Sequence, residues 1–119
     1  MKFLVYGVNG WIGGKVFHYL KAHDYDVEVG TSRVDNVKEL EQEILEKKPT
    51  HIISLIGRTH GTYNNEYIGT IDYLEKPGKV FENVRDNLFG PMVLSLLSKK
   101  HNFHFTYLGT GCIFQFDEK

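Results

Sequence analysis

The sequence predicts an α/β fold, a partial Rossmann-like arrangement in which a parallel sheet of about four strands carries helices on both faces. Three observations carry that expectation. Short continuous apolar runs, Phe3-Leu4-Val5-Tyr6 and His51 to Ile56 among them, read as strands buried on both faces. Between the runs lie stretches with apolar residues at i, i+3 and i+4 spacing, the pattern of amphipathic helices. The first run ends in a glycine-rich turn, Gly7-Val8-Asn9-Gly10-Trp11-Ile12-Gly13, that leads directly into one of those helices.

Taken in order, residues 2–7 form the first strand. Ile12 to His23 follows as a helix with Ile12, Val16, Tyr19 and Leu20 on one face and Lys15, His18 and Lys21 pointing away. Val27-Glu28-Val29 is a short second strand. Asp35 or Asn36 caps the next helix with help from Glu39, Val37, Leu40, Ile44 and Leu45 turn inward, and Pro49 ends it. His51 to Ile56 is the third strand. Gly57 to Pro77 is a long segment rich in Gly, Thr, Asn and Tyr, the kind of loop that serves as a lid or binding loop. Lys79 to Lys100 reads as a long helix kinked at Pro91, with Val80, Val84, Leu88, Met92, Leu94 and Leu97 as its buried positions. Phe103 to Leu108 is a fourth strand, an apolar sheet edge that needs pairing or cover.

Length and composition bound the function. With 119 residues and 41% hydrophobic content the chain makes one domain with a real core. A formal net charge of −1 gives no electrostatic case for nucleic acid or an anionic membrane surface. Cys112 is the only cysteine, so no internal disulfide forms, and a cytoplasmic location fits. No apolar run approaches the roughly 18–20 residues of a membrane span, and no signal peptide or metal site is expected.

A strand that ends in G-x-x-G-x-x-G and enters a helix is the build of a dinucleotide pyrophosphate site. The first Gly permits a tight turn, the middle one admits the phosphates to the backbone, and the last lets helix and strand pack closely. The helix N-terminus adds partial positive charge. Gly7, Asn9, Gly10, Trp11, Ile12 and Gly13 are therefore candidate cofactor-binding residues. About 20 residues on, an NAD site wants an acid for the ribose 2′-OH. This chain offers Gly30-Thr31-Ser32-Arg33 instead. Arg33 suits a 2′-phosphate, with Thr31 and Ser32 as hydrogen-bond donors, which favours NADP(H) over NAD. Arg33 as a solvated loop residue is the plain alternative, and Asp35 reads equally as an adenine neighbour or a helix cap.

The loop after the third strand, Gly57-Arg58-Thr59-His60-Gly61, is placed to cover cofactor or substrate. Gly57 is a cofactor candidate, and Arg58 and His60 are substrate candidates. His60 reads equally as a base or as an exposed loop histidine. Beyond the fourth strand, Thr110 offers a hydroxyl and Cys112 a weakly acidic thiol at the carboxyl edge of the sheet. A lone cysteine is also commonly a small buried hydrophobe.

At these residues the chain resembles the extended short-chain dehydrogenases/reductases that act on nucleotide sugars. It is most similar to the UDP-4-keto-6-deoxy-glucose 3,5-epimerase/4-reductases of UDP-rhamnose synthesis, relatives of dTDP-4-dehydrorhamnose reductase. The likeness rests on Tyr6-Gly7-x-x-Gly10-Trp11-Ile12-Gly13-Gly14, Gly30-x-Ser32-Arg33, Asp72-Tyr73-Leu74-Glu75, Asn83-Val84-Arg85-Asp86-Asn87 and Thr110-Gly111-Cys112-Ile113-Phe114. It implies that the Gly loop holds the NADP(H) pyrophosphate and Arg33 the 2′-phosphate. It implies further that Asn87 is the family's helix asparagine, that Thr110 belongs to the catalytic Ser/Thr-Tyr-Lys set, and that Cys112 is an acid/base residue. The implied chemistry is inversion at C3 and C5 beside a 4-keto group, then hydride transfer to C4. The third-strand loop, Ser54-Leu55-Ile56-Gly57, is bulkier than the Asn-Ala-Ala-Gly of many relatives. The family's Tyr-x-x-x-Lys pair would lie downstream of Cys112. Residues 1–119 are thus expected to be the NADP(H)-binding N-terminal portion of a longer enzyme, without its C-terminal substrate-binding part and inactive alone. That enzyme would be a possible homodimer at full length. The competing expectation is a non-catalytic NADP(H)-binding regulatory or scaffold module.

Overall fold

Residues 1–109 are described by the structure, a computed structural model; Thr110 and Cys112 lie outside the described residues. Strand β1 (Lys2–Tyr6) leads through the Gly turn into α1 (Trp11–Ala22), followed by β2 (Asp26–Val29), α2 (Val37–Lys47) and β3 (His51–Ser54). A hairpin of β4 (Gly61–Tyr63) and β5 (Glu66–Ile68) comes next, then a 3₁₀ turn (Ile71–Glu75). A long helical stretch runs from α3 (Val80–Val84) through a π-helical turn (Arg85–Phe89) into α4 (Gly90–His101), and β6 (His104–Tyr107) follows. The main sheet is parallel throughout, in the order β2-β1-β3-β6, so the expected fold class is the observed one. The chain steps outward from β1 to β2 and then returns past β1 to β3. The strand order therefore reverses between β1 and β3, and ligands in open α/β sheets sit beyond the carboxyl ends of such a pair.

Alternation along β1 divides the core. Leu4 and Tyr6 face α2 and α4 in a cluster with Leu40, Ile44, Ile52, Leu94 and Leu97. Val5 faces the α1 side with Leu20 and Val27, where Val16 and Phe17 pack against them. Helices thus cover both faces.

Three helix faces differ from the sequence expectation. On α1, Ile12 and Tyr19 are exposed, while Gly13 and Leu20 are buried and Val16 and Phe17 pack inward. The cause is Gly13, which lies so close to Gly7 that a Cβ there would stand 1.9 Å from the Gly7 carbonyl oxygen. That contact sets the rotation of the helix. On α2, Asn36 caps as expected, its side chain accepting from the Glu39 N–H at 3.4 Å, but Val37 and Leu45 are exposed and Glu43 takes the inward place. On the last helical stretch, Val80, Val84, Leu88 and Met92 are exposed, and Asp86, Gly90, Val93, Leu94 and Leu97 face inward. Gly90 lets this helix press on Val34, whose Cγ2 would meet a Cβ at 2.9 Å. The π turn lies one turn before Pro91, which has no N–H for the carbonyl four residues back and crowds it; the helix is widened just ahead of the proline.

The segment from Gly57 to Pro77 carries secondary structure that the sequence reading does not foresee. Strands β4 and β5 pair antiparallel around Asn64-Asn65, with φ of 49° and 63°. Positive φ at both central residues is the requirement of a two-residue type I′ turn, and asparagine tolerates it. Tyr73 anchors the hairpin: its ring lies against Gly61 and its hydroxyl donates to Glu82 at 2.7 Å. Among the described residues β6 forms an edge of the main sheet, as expected.

Candidate functional site

A cleft of about 310 Å³ opens beyond the carboxyl ends of β1 and β3, between the loops that follow β1, β2 and β3 and the π turn. Its volume is in the range of small-molecule sites.

The first wall is the Gly turn. Gly7 has φ of +87°, a conformation side chains rarely adopt, and a Cβ on it would meet the Leu55 carbonyl carbon at 2.7 Å. Gly10 donates to the Gly7 carbonyl at 3.2 Å and begins α1, and its Cβ position is nearly open, 3.4 Å from the nearest atom. Helix α1 has no side-chain cap and no acidic residue in its first turn, so its leading N–H groups keep their partial positive charge. This cradle fits a dinucleotide pyrophosphate: close backbone approach, no Cβ in the way and a positive helix end. Gly7 and Gly10 line the cleft; Asn9, Trp11 and Ile12 flank the turn, and Trp11 is 78% exposed.

The second wall is the loop after β2. Arg33 stands at the mouth with its side chain 67% exposed, Nε donating to Asp35 Oδ1 at 3.0 Å and Nη2 to Oδ2 at 3.3 Å. The guanidinium holds the Asp35 carboxyl below the usual range. An exposed pair of this kind contributes at most about 1 kcal/mol, so redirecting Arg33 to a phosphate costs little. Thr31 and Ser32 turn the other way. The Thr31 N–H and O–H each donate to Glu43 Oε1 at 2.9 Å, the Ser32 N–H donates to Glu43 Oε2 at 3.0 Å, and the Ser32 hydroxyl donates to the Glu39 carbonyl at 3.3 Å. The donors expected to meet a phosphate are engaged with α2, although Thr31 is exposed and Ser32 lines the cleft.

The third wall joins the loop after β3 to the π turn. Asn87 clamps one residue of that loop at both ends: its Oδ1 accepts from the Arg58 N–H at 2.8 Å and its Nδ2 donates to the Arg58 carbonyl at 2.9 Å. Asn83 Oδ1 accepts the other Nδ2 proton at 2.9 Å. Asp86, buried beside it, takes Arg58 Nε at 3.2 Å and Arg85 Nε and Nη2 at 2.8 and 3.1 Å. Burial opposes ionisation of Asp86, but the two arginines outweigh it and its carboxyl lies below the ordinary range. Three guanidinium groups against two carboxylates leave the cleft positive, as an anionic ligand requires. Gly57 and Arg58 line it; His60 is exposed, its Nδ1 2.9 Å from the Thr59 hydroxyl, and does not.

Tyr6, Arg85 and Asp86 enter the sequence reading only as strand or motif residues with no site role assigned, and Glu43 does not enter it. For Glu43 and Asp86 the signal was present: a charged residue on the apolar side of a helix, one place before Ile44 in one case and four before Gly90 in the other.

No protein-family model matches the chain. Protein L780 of Acanthamoeba polyphaga mimivirus is 49% identical over 115 residues, which are 97% of this chain and 38% of that protein. Its crystal structure, described as that of a UDP-rhamnose synthase, superposes with a TM-score of 0.89. The trifunctional UDP-glucose 4,6-dehydratase/UDP-4-keto-6-deoxy-D-glucose 3,5-epimerase/UDP-4-keto-L-rhamnose-reductase RHM1 of Arabidopsis thaliana is 33% identical over 119 residues, all of this chain and 16% of that one. The dTDP-4-dehydrorhamnose reductase of Bacillus anthracis, solved in complex with NADP, shares the fold with a TM-score of 0.69 at 19% identity, over 88% of this chain and 35% of that one. The resemblance read from the sequence is borne out: the homologues of this chain are enzymes with these names. The chain spans about two fifths of the length of L780.

Proposed function

We propose that the chain binds NADP(H) in this cleft and supplies the cofactor-binding part of an enzyme that converts a UDP- or dTDP-linked 4-keto-6-deoxy-hexose to the rhamnose nucleotide. The observation that carries the reading is a pair of facing walls at the reversal of strand order: a glycine cradle open to a pyrophosphate, and a guanidinium rather than an unpaired acid at the ribose position. The likeness to L780 and RHM1 supports the substrate class.

In this reading Gly7, Gly10 and Gly13 shape the pyrophosphate site, and Arg33 exchanges Asp35 for the 2′-phosphate. When bound, NADPH would supply a hydride to C4 of the sugar, and an acid of the longer enzyme would supply the proton to the C4 oxygen. Asn87 holds the Gly57–Arg58 loop against the cleft. The 4-keto group acidifies the C3 and C5 hydrogens; Cys112 is an acid/base group on one face of the resulting enol, a second proton donor of the enzyme serves the opposite face so that each centre inverts, and Thr110 orients the carbonyl. Arg58 is the residue offered to the substrate's phosphates. No helix among the described residues is long and apolar enough to cross a membrane.

The test is a titration of the protein with NADPH and NADH, followed by ligand fluorescence. Saturable binding with preference for NADPH is expected, and Arg33→Ala weakens NADPH roughly 10–100-fold with NADH little changed, the scale of one charged hydrogen-bonding partner. Equal affinity for the two cofactors, or no saturable binding, would overturn the reading.

A further inference from the structure

Dinucleotide sites choose between a ribose hydroxyl and a 2′-phosphate at the tip of the second strand, where NAD sites present an acid. This molecule has two acids in that neighbourhood: Asp35 lines the cleft but is paired with Arg33, and Glu43 comes from α2 and lies beneath the loop. Glu43 is only 7% exposed. Its Oε1 accepts from the Thr31 N–H, the Thr31 hydroxyl and Lys47 Nζ, at 2.9, 2.9 and 3.1 Å. Its Oε2 accepts from the Ser32 N–H and the Tyr6 hydroxyl, at 3.0 and 2.8 Å. A carboxylate has about four lone-pair sites. Five donors saturate it, so no capacity is left for a ribose hydroxyl.

The same contacts shape the loop above. Lys47 Nζ donates onward to the Val29 carbonyl at 2.7 Å, and the Gly30 N–H donates to the Val5 carbonyl at 2.8 Å. The Tyr6 ring fills the space under Gly30, where a Cβ would stand 2.3 Å from it. Every residue from Val29 to Ser32 is thereby tied down from below. Arg33 follows this anchored run directly and stands at the mouth of the cleft, its guanidinium held to Asp35.

Building on the NADP(H) reading, we propose that Glu43 is a specificity-determining positioning residue: it fixes the Thr31–Ser32 turn through their N–H groups and the Thr31 hydroxyl, spends its own acceptor capacity in doing so, and thereby presents Arg33 to a 2′-phosphate. Thr31 is then an anchor of the loop rather than a phosphate donor.

The experiment is a double-mutant cycle on cofactor affinity. Kd for NADPH and NADH is measured for the wild type, Glu43→Gln, Arg33→Ala and the double variant, with circular dichroism and thermal melting as checks on folding. Glu43→Gln keeps the shape but puts an NH₂ among donors, which loosens the loop. The expected result is NADPH binding weakened about tenfold, NADH changed less than about twofold, and no further loss from Glu43→Gln once Arg33 is alanine. Equal weakening of both cofactors, or full additivity with Arg33→Ala, would show that Glu43 merely supports the fold and would overturn the inference. If Glu43→Gln does not fold, Thr31→Val removes one donor and should give a smaller loss confined to NADPH; no selective loss there overturns it too. A wild type that prefers NADPH beside a neutral Glu43→Gln sinks this inference alone, whereas a wild type without NADPH binding sinks the underlying reading and this inference with it.

Discussion

Two loops face each other across the cleft, and they hold their shape by opposite means. From Gly7 to Gly13 the chain is kept in place by missing side chains: helix and strand touch because nothing projects between them. From Thr31 to Arg33 it is kept in place by a side chain, the buried Glu43 carboxylate that gathers three donors of the loop. The first device is steric and insensitive to pH and salt. The second is electrostatic, tunable, and lost when one residue changes its charge. The wall proposed for the pyrophosphate is held by packing, and the wall proposed for the ribose is held by polar chemistry.

Substitution should expose this contrast. Gly13→Ala has the largest expected effect. Its Cβ would meet the Gly7 carbonyl oxygen at 1.9 Å, and backbone cannot step aside as a side chain can. A loss of about 3 kcal/mol or more in urea unfolding, with loss of NADPH binding, is expected; a loss under about 1 kcal/mol would show that the Gly wall is not sterically locked.

Acid should reach only the other wall. Burial pushes the Glu43 carboxyl up, but the N–H groups of Thr31 and Ser32 and the hydroxyls of Tyr6 and Thr31 outweigh it and hold it at about 2, against an ordinary value of 4.5. Because the folded value is the lower one, the stabilisation is full above pH 4.5 and is lost as pH falls through about 2. The difference corresponds to at most about 3 kcal/mol, less where solvent screens the carboxylate. Unfolding free energy measured between these pH values should fall more steeply in the wild type than in Glu43→Gln, and parallel curves would break the comparison.

Smaller effects sharpen it. Asn87→Ala should cost about 1–2 kcal/mol and speed hydrogen exchange at the Arg58 amide, because both backbone groups of Arg58 lose their partner. Gly10→Ala should change stability by no more than about 1 kcal/mol, since its Cβ is nearly unobstructed, yet weaken NADPH. A Gly10→Ala variant that binds NADPH like the wild type would remove the pyrophosphate from this wall.

Some of this was legible before any coordinates. The strands are short continuous apolar runs, which only a sheet covered on both faces can use, and the Gly turn stands where β1 meets α1. The asparagine cap of α2 and the end of that helix before Pro49 followed from local chemistry as well. Helix faces were less legible. Ile12, Tyr19, Val37, Leu45 and the Val80-Val84-Leu88-Met92 row have apolar spacing as regular as the rows that are buried. Periodicity reports that a stripe exists without saying which of two stripes wins. Contacts distant in sequence decide that: Gly13 on Gly7, and Gly90 on Val34. The hairpin of β4 and β5 was hidden for another reason, because its only local mark is an Asn-Asn pair between strands of three residues each.

What the sequence alone determined, then, is the α/β class, the positions of most strands and helices, the glycine cradle and the cation at the tip of β2. These depend on residues within a few positions of one another, where backbone conformation and hydrophobic spacing are decided. Only the tertiary structure decided that Thr31 and Ser32 bond to Glu43, that Asn87 clamps Arg58 across 29 residues, and that Asp86 binds Arg58 and Arg85 together. A buried polar group must find partners wherever the fold brings them, and no local pattern records which distant donor that will be.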